Sequence, residues 1–357
     1  MDQPKGERDC KKMELKVFET PGKEWDEFAS QYTDLIFYQS VWSEVLRKGL
    51  GGQPLYFYLR GGGKIVVGLP GVLLNFMMFK IFYASIPYGN LIGENSYYPA
   101  FMELLEREFR KRGIDQVRMT ESPFSEPFRP ISYKRVSSKC SLLDLRGFDK
   151  EKLWESYKKY IRRDIRKAQR SGVTIRSGSS KEDVRILYEL YLASMDRNRT
   201  MAKYPFQWFE AISEEMGKKG IGIFRLAEFN QKAVAGAVFI HSSTSTHYFH
   251  NGSQYEFLKF CPNELLIHSS LEKAMEAGNT YFDFMGSDPA DFPLIRFKEK
   301  WGSRSMDIHT YVKDYHPLKC RGWEWGKKLL DSRFGSSLLR IVRKQNPTGP
   351  NVSCRQP

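Results

Sequence analysis

Residues 222–251, GIFRLAEFNQKAVAGAVFIHSSTSTHYFHN, read as three strands in succession. Residues 222–229 form the first strand, Asn230-Gln231 is a turn, and 233–241 return. Residues 246–251 form a third strand, closed by Gly252. A helix follows at about 262–277, with Pro262 suited to its first turn and Gly278 to a left-handed stop. Residues 281–284, Tyr-Phe-Asp-Phe, alternate again as a strand.

The first half of the chain gives the same order. Strands are expected at 55–60, 64–74 and 80–85, then the Pro87-Tyr88-Gly89 turn, a helix at 98–112 stopped by Gly113, and a strand at 116–119. Helices at 24–31 and 41–48 precede the first set. Helices at 153–171 and 181–197 precede the second, with a strand at about 173–176 between them. An internal repeat of this length points to a duplicated α+β module of mixed, mostly antiparallel sheets flanked by helices. The expected boundaries are a tail at 1–12, a first domain at 13–146, a second at 147–315, a helical arm at 316–344 and a tail at 345–357.

The 357 residues carry a formal net charge of +14, with 41% apolar and 14% aromatic residues. That suffices for two cored domains and favours polyanionic partners. Five scattered cysteines, with no metal-binding spacing, suggest a reducing compartment and no metal. The apolar stretch 65–82 is broken by Gly68, Pro70, Gly71, Asn75 and Lys80, so it reads as strands rather than a membrane span. The expected location is cytoplasmic.

Two segments concentrate positive charge. In 153–171, LWESYKKYIRRDIRKAQRS, the residues Trp154, Tyr157, Ile161, Ile165 and Ala168 form a core stripe. Lys159, Arg162, Arg163, Arg166, Lys167 and Arg170 share another face, with Asp164 as the one acid among them. Such a stripe repels itself unless an anion covers it, and arginine forks suit phosphate. A solvated helix face is the plainer alternative. Residues 323–344 carry six basic and two acidic residues beside an apolar side of Trp325, Leu329, Leu330, Phe334, Leu338, Leu339 and Ile341. This arm suits either an anionic membrane surface or packing on the first domain.

Five segments, in order, resemble those of the Fem-type peptidyltransferases and their relatives in the GNAT acyltransferase superfamily. They are Phe37-Tyr38-Gln39-Ser40-Val41-Trp42, Ser85-Ile86-Pro87-Tyr88-Gly89, the run RRDIRKAQRSGV at 162–173, Asn263-Glu264-Leu265-Leu266 after Pro262, and the block at 278–302 ending Phe297-Lys298-Glu299-Lys300-Trp301-Gly302. The resemblance spans about residues 14–315. It implies two tandem GNAT-like domains and amide-bond formation. The donor would be aminoacyl-tRNA, engaged by its acceptor end, or acyl-CoA as the alternative. The acceptor would be an amine of a phosphorylated or lipid-linked envelope precursor, a peptidoglycan peptide or an amino sugar, and the inner face of the membrane a place of work. No resident cofactor is implied.

The resemblance points to Lys298, on a loop past the last strand, as charge for the acyl oxyanion, with Lys300 as its rival. Asp283 alternates away from Phe282 and Phe284 and is a candidate orienting carboxylate. Glu121, before Ser122-Pro123, matches an acidic position of bridge-forming members, displaced by one inserted serine. Binding candidates are Arg162, Arg163, Arg166 and Lys167 on the basic helix, with Tyr38, Gln39, Tyr88, Tyr248, His250 and Asn251. His247 and His250, three apart on a strand, are expected on opposite faces. No Gln/Arg-x-x-Gly-x-Gly/Ala diphosphate loop precedes either helix, which weighs against acetyl-CoA. A non-catalytic RNA- or membrane-binding module would use the same charged surfaces.

Overall fold

The computed structural model describes residues 14–331 apart from 77, 125 and 127, and only the backbone of 327–331. Among the described residues two compact units emerge, one of residues 14–137 with 308–326, the other of 138–307 with 327–331. The expected tails at 1–12 and 345–357, and the arm beyond 331, lie outside the described residues.

In the first unit, α1 (Lys23–Ala29) and α2 (Ser40–Leu50) lead into β2 (Gln53–Gly61), β3 (Lys64–Phe76) and β4 (Phe79–Tyr83), an antiparallel series. Helix α3 (Tyr98–Lys111) crosses back to β6 (Gln116–Thr120), which pairs in parallel with β4 over Ile81↔Gln116 to Tyr83↔Arg118. A short β1 (Lys16–Phe18) adds to the β2 edge, and β5 (Ile92–Gly93) pairs with β3. Phe57, Phe82 and Phe109 meet edge-on or tilted at the centre of the core. Full burial of one such ring is worth about 1.5–3 kcal/mol.

The second unit repeats this plan. Helices α4 (Lys150–Ser156), α5 (Lys159–Arg170), α6 (Lys181–Arg197) and α7 (Phe206–Met216) precede β9 (Gly222–Phe229), β10 (Lys232–His241) and β11 (Ser245–Ser253). These three strands are antiparallel. Helix α8 (Pro262–Glu276) then returns to β12 (Tyr281–Ser287), parallel to β11 over Ser245↔Tyr281 to His247↔Asp283. The outer edge is β8 (Thr174–Gly178) on β9. Gly252 permits the close approach of α6 to β11: a Cβ there would lie 2.2 Å from the Leu190 carbonyl carbon.

Each parallel pair gains a further antiparallel strand that sequence reading did not assign. In the second unit it is the 138–144 part of β7 (Lys134–Asp144), against β12. In the first it is the 308–314 part of β13 (Arg304–Asp314), against β6. The expected boundary after residue 146 therefore moves to 137/138, and residues 308–326 return to the first unit.

Two further expectations are corrected. The single helix at 153–171 is two, broken at Tyr157 and Lys158. Tyr157 adopts an extended backbone, its ring packs edge-on to Trp301, and the Lys158 amide donates to the Lys300 carbonyl at 3.1 Å. These contacts replace the helix ladder. The Phe297-Lys298 pair lies not on a loop but in α9 (Phe292–Glu299), capped by Asp291 accepting from Leu294 N. The arm begins as α10 (Pro317–Asp331), and its early residues pack on the first unit: Trp323 stacks on Phe76 and Phe79, and Glu324 pairs with Arg118 at 3.2 Å. No helix of the described residues is long and apolar enough to cross a membrane.

Candidate active site

In the second unit, the strands part just beyond the last parallel pair, His247↔Asp283. Strand β12 leaves its ladder through Met285, at φ 66°, and the pairing with β7 skips from Asp283 to Gly286. This out-turned segment is held by Lys298. Its Nζ donates to the carbonyls of Met285 (2.8 Å) and Gly286 (3.0 Å) and to Ser287 Oγ (2.7 Å). Three donors meet three acceptors inside the chain, and the residue is 5% exposed. Burial draws its pKa down to about 8. Lys298 thus fixes the shape of the strand end, and its charge is inside the protein rather than on a surface turn.

Lys300 lies nearer the first turn of α8, where it pairs with Glu264 at 3.2 Å and covers the Phe297 ring at 4.0 Å. Polar atoms without a hydrogen-bond partner among the described residues sit in the same region: Tyr248 Oη, Asn263 Oδ1 and Trp301 Nε1 are all buried. Tyr248 packs on Phe239 and Phe284, and burial with nearby Glu264 pushes its hydroxyl pKa upward. The basic face of α5 reaches this turn too. The Cys261 thiol is raised by burial, Glu264 and Asp164, against the pull of Lys167 and Arg163. Arg163 pairs with Asp164 (3.0 Å), and the Arg166 guanidinium lies over Trp154 (5.1 Å). Ile161, Ile165 and Ala168 are buried, Arg162 is half-buried, and Arg163, Arg166, Lys167 and Arg170 are exposed.

Asp283 is fully buried. Its Oδ2 lies 3.0 Å from His247 Nδ1, and its Oδ1 accepts from Met285 N (2.7 Å) and Cys140 Sγ (3.3 Å). His247 Nε2 lies 3.1 Å from both Ser242 Oγ and Ser245 Oγ. With its acceptors taken and no exposure, Asp283 orients His247 and braces the strand end. His247 and His250 do not fall on opposite faces as expected. A bulge between the pairs Phe239↔Tyr248 and Val238↔His250 inserts Phe249 and resets the alternation. His250 accepts from Trp208 Nε1 at 2.8 Å among Tyr191, Tyr204 and Phe209. Burial lowers its pKa to about 3, so it is a neutral packing residue rather than one facing a cleft. Asn251 is exposed. Among the described residues no His, Cys, Asp and Glu side chains are grouped to hold a metal.

In the first unit, two motifs far apart in sequence are pinned together. Ser85 Oγ donates to the Phe37 carbonyl and Trp42 Nε1 to the Ile86 carbonyl, both at 2.6 Å. Gly89 closes the intervening turn, where a Cβ would strike the Ala84 carbonyl oxygen. Tyr88 is buried beside Phe37. The Tyr38 hydroxyl accepts from Asn90 N at 3.0 Å, whereas Gln39 turns to Ser30 Oγ at 3.1 Å. Tyr38 and Asn90, with Tyr32, Tyr98, Ser122 and Glu126, line a cavity of about 170 Å³.

Glu121 follows β6. Its Oε2 accepts from His309 N and Nδ1, each at 2.8 Å, and its Oε1 from Tyr311 Oη at 2.6 Å. Arg129 lies 3.7 Å away. Both carboxylate oxygens are occupied, so Glu121 acts on its neighbours. Sequence reading missed His309 and Tyr311. Their i, i+2 spacing places both on one face of a strand, but that strand was not recognised.

Residues 155–299 match the family model for the acetyltransferase (GNAT) domain. No curated protein sequence matches the chain. Among solved structures, FemX is similar with a TM-score of 0.62 at 14% identity, over 82% of this chain and 96% of that one. A tandem GNAT protein from the clavulanic acid biosynthesis pathway is similar at 0.58 and 12% identity, over 85% and 98%. The C-terminal domain of an Agrobacterium fabrum protein, assigned as a lysylphosphatidylglycerol synthetase, gives 0.56 and 14%, over 81% and 92%. At such identities the likeness concerns the fold. With a match to the acetyltransferase (GNAT) domain in its second unit, and the same strand–helix–strand plan in its first, the chain has the fold of tandem GNAT proteins.

Proposed function

We propose that the protein is an N-acyltransferase of the Fem type, transferring an aminoacyl group from aminoacyl-tRNA to an amine of a phosphorylated or lipid-linked cell-envelope precursor. The observation that carries this reading is the cationic face of α5 converging with Lys300 on the first turn of α8, beside Tyr248, Asn263 and Trp301 with their unsatisfied polar atoms. A helix N-terminus and an arginine-rich face both favour a phosphate-bearing donor. In this scheme Arg162, Arg163, Arg166 and Lys167 hold the acceptor end of the tRNA. Lys298 keeps the end of β12 in shape for the acyl group and brings positive charge to it.

Formation of the amide requires a deprotonated amine and a stabilised tetrahedral oxyanion. The buried ammonium of Lys298 and the amides at the start of α8 supply preorganised positive potential. Leu318 and Trp325, both well exposed on α10, suit contact with a lipid surface bearing the acceptor.

The acetyltransferase family model at 155–299 favours a second donor, acyl-CoA, with the same acceptor chemistry. A single-turnover assay offers charged tRNA and acyl-CoA in parallel and follows amide product by mass. Product from charged tRNA alone supports the first reading, and product from acyl-CoA alone replaces it with the second. Binding of RNA or vesicles without amide from either donor leaves a non-catalytic binding module.

A further inference from the structure

We propose that the turn Tyr255–Phe260 is a stacking platform for the unpaired 3′ end of the RNA donor, with Tyr255 as the ring on which a base lies. The inference rests on the aminoacyl-tRNA reading above, and every residue it uses belongs to the second unit. The segment reads Tyr-Glu-Phe-Leu-Lys-Phe and forms a short 3-10 helix between β11 and α8. Tyr255 is 71% exposed, and among the described residues its ring meets no other ring or cation. The rings behind it are held in place. Phe260 stacks on Phe229 with centroids 4.3 Å apart, and Phe257 leans on both, at 5.9 Å from Phe229 and 6.4 Å from Phe260.

Cations interleave with these rings. Lys232 Nζ lies 5.4 Å from the Phe257 centroid and Lys259 Nζ 5.2 Å from that of Phe260, and both lysines are exposed. The turn packs against α5, and at its end the Cys261 thiol feels Lys167 and Arg163. Glu256 is the one acid of the turn, against these four cations. Rings beside a positive surface suit single-stranded nucleic acid, because every base has a π-face and every linkage a phosphate.

Length and direction also fit. A 3-10 helix rises about 2.0 Å per residue, so Tyr255 to Cys261 spans about 12 Å. Stacked nucleotides rise about 3.4 Å, which gives room for about three. The chain then enters α8 at Pro262. A strand that stacks at Tyr255 and follows the turn therefore brings its terminal ribose to the head of α8, where the acyl ester is needed. A lipid surface is the rival partner. It would call for exposed aliphatic side chains, whereas Leu258, the aliphatic residue of the turn, is half-buried.

The test uses the full chain and two uncharged RNA hairpins of one acceptor-stem sequence, one with an unpaired 3′ tail and one blunt. Wild type should prefer the tailed hairpin. Tyr255→Ala should weaken its binding about tenfold and leave the blunt hairpin unaffected. Tyr255→Phe should bind as wild type does, since the ring is kept. The slope of log affinity against log salt should be the same in Tyr255→Ala, because no charge is lost. A 2-aminopurine placed in the tail should be quenched by wild type and not by Tyr255→Ala. Equal binding of the two hairpins by wild type, or a Tyr255→Ala affinity within twofold of wild type on the tailed one, overturns the platform and leaves the donor reading standing on α5. Wild type that binds neither hairpin overturns the tRNA-donor reading and the platform with it. Loss of binding to phosphatidylglycerol vesicles in Tyr255→Ala, with RNA binding unchanged, gives this surface to lipid and overturns the proposal.

Discussion

Lys298 concentrates the chemistry of the second unit in one ammonium. Replacing it by methionine keeps the volume but leaves two carbonyls and a hydroxyl without their donor. Lys298→Met should cost about 3 kcal/mol in urea unfolding at pH 7, since buried acceptors left unpaired are expensive. The pH dependence has a definite sign. The folded pKa, about 8, lies below the ordinary 10.5. Between these values the unfolded chain binds more protons, so the stability of wild type relative to the methionine variant should rise from pH 8 to 10.5. A flat difference would mean that this ammonium is not desolvated. His250 acts at the other end of the scale. Its pKa falls to about 3 from 6.5, so stability should drain away as pH falls through that window. His250→Phe should flatten that loss in an acid-unfolding series, and an unchanged acid slope would refute the burial of a neutral imidazole.

At the scale of elements, the basic helix α5 makes the cleanest test. Arg163, Arg166 and Lys167 are exposed while Ile161, Ile165 and Ala168 anchor the opposite face. Lys167→Glu should weaken tRNA binding by about tenfold and lower the slope of log affinity against log salt by about one or more. Unaltered affinity and slope would remove α5 from the nucleic-acid surface. The amphipathic stripe of this helix was legible because it depends on local spacing, yet its break at Tyr157 was not. That break comes from Trp301 and Lys300, residues remote in sequence. The repeated strand–helix–strand order was legible for the same local reason, with Gly113 and Gly278 at positive φ after their helices. Strands β7 and β13 were hidden because each owes its place to a distant partner and presents mostly polar residues. The candidate site divided along the same line. Lys298 and Asp283 could be named from a motif, but their partners Met285 and His247 needed coordinates. Glu121 could be named, whereas His309 stands 188 residues away and was invisible without the sheet.

At the scale of the whole molecule, residues 308–314 complete the sheet of the first unit from the far end of its chain. Truncation after residue 307 should strip β6 of its antiparallel neighbour and remove both His309 and Tyr311 from Glu121. Hydrogen exchange should then quicken across 79–83 and 116–120, while α8 and β10 in the second unit keep their protection. Equal loss in both units would show that they unfold as one. The exchanged strand also sets a schedule for synthesis. Domains usually fold in the order in which they leave the ribosome. Here residues 138–307 of the second unit are made before 308–326, for which the first unit, begun earlier, waits. The sheet begun first is closed only after residues 138–307 of the other unit have been made, and until then β6 stands as an open edge on the nascent chain.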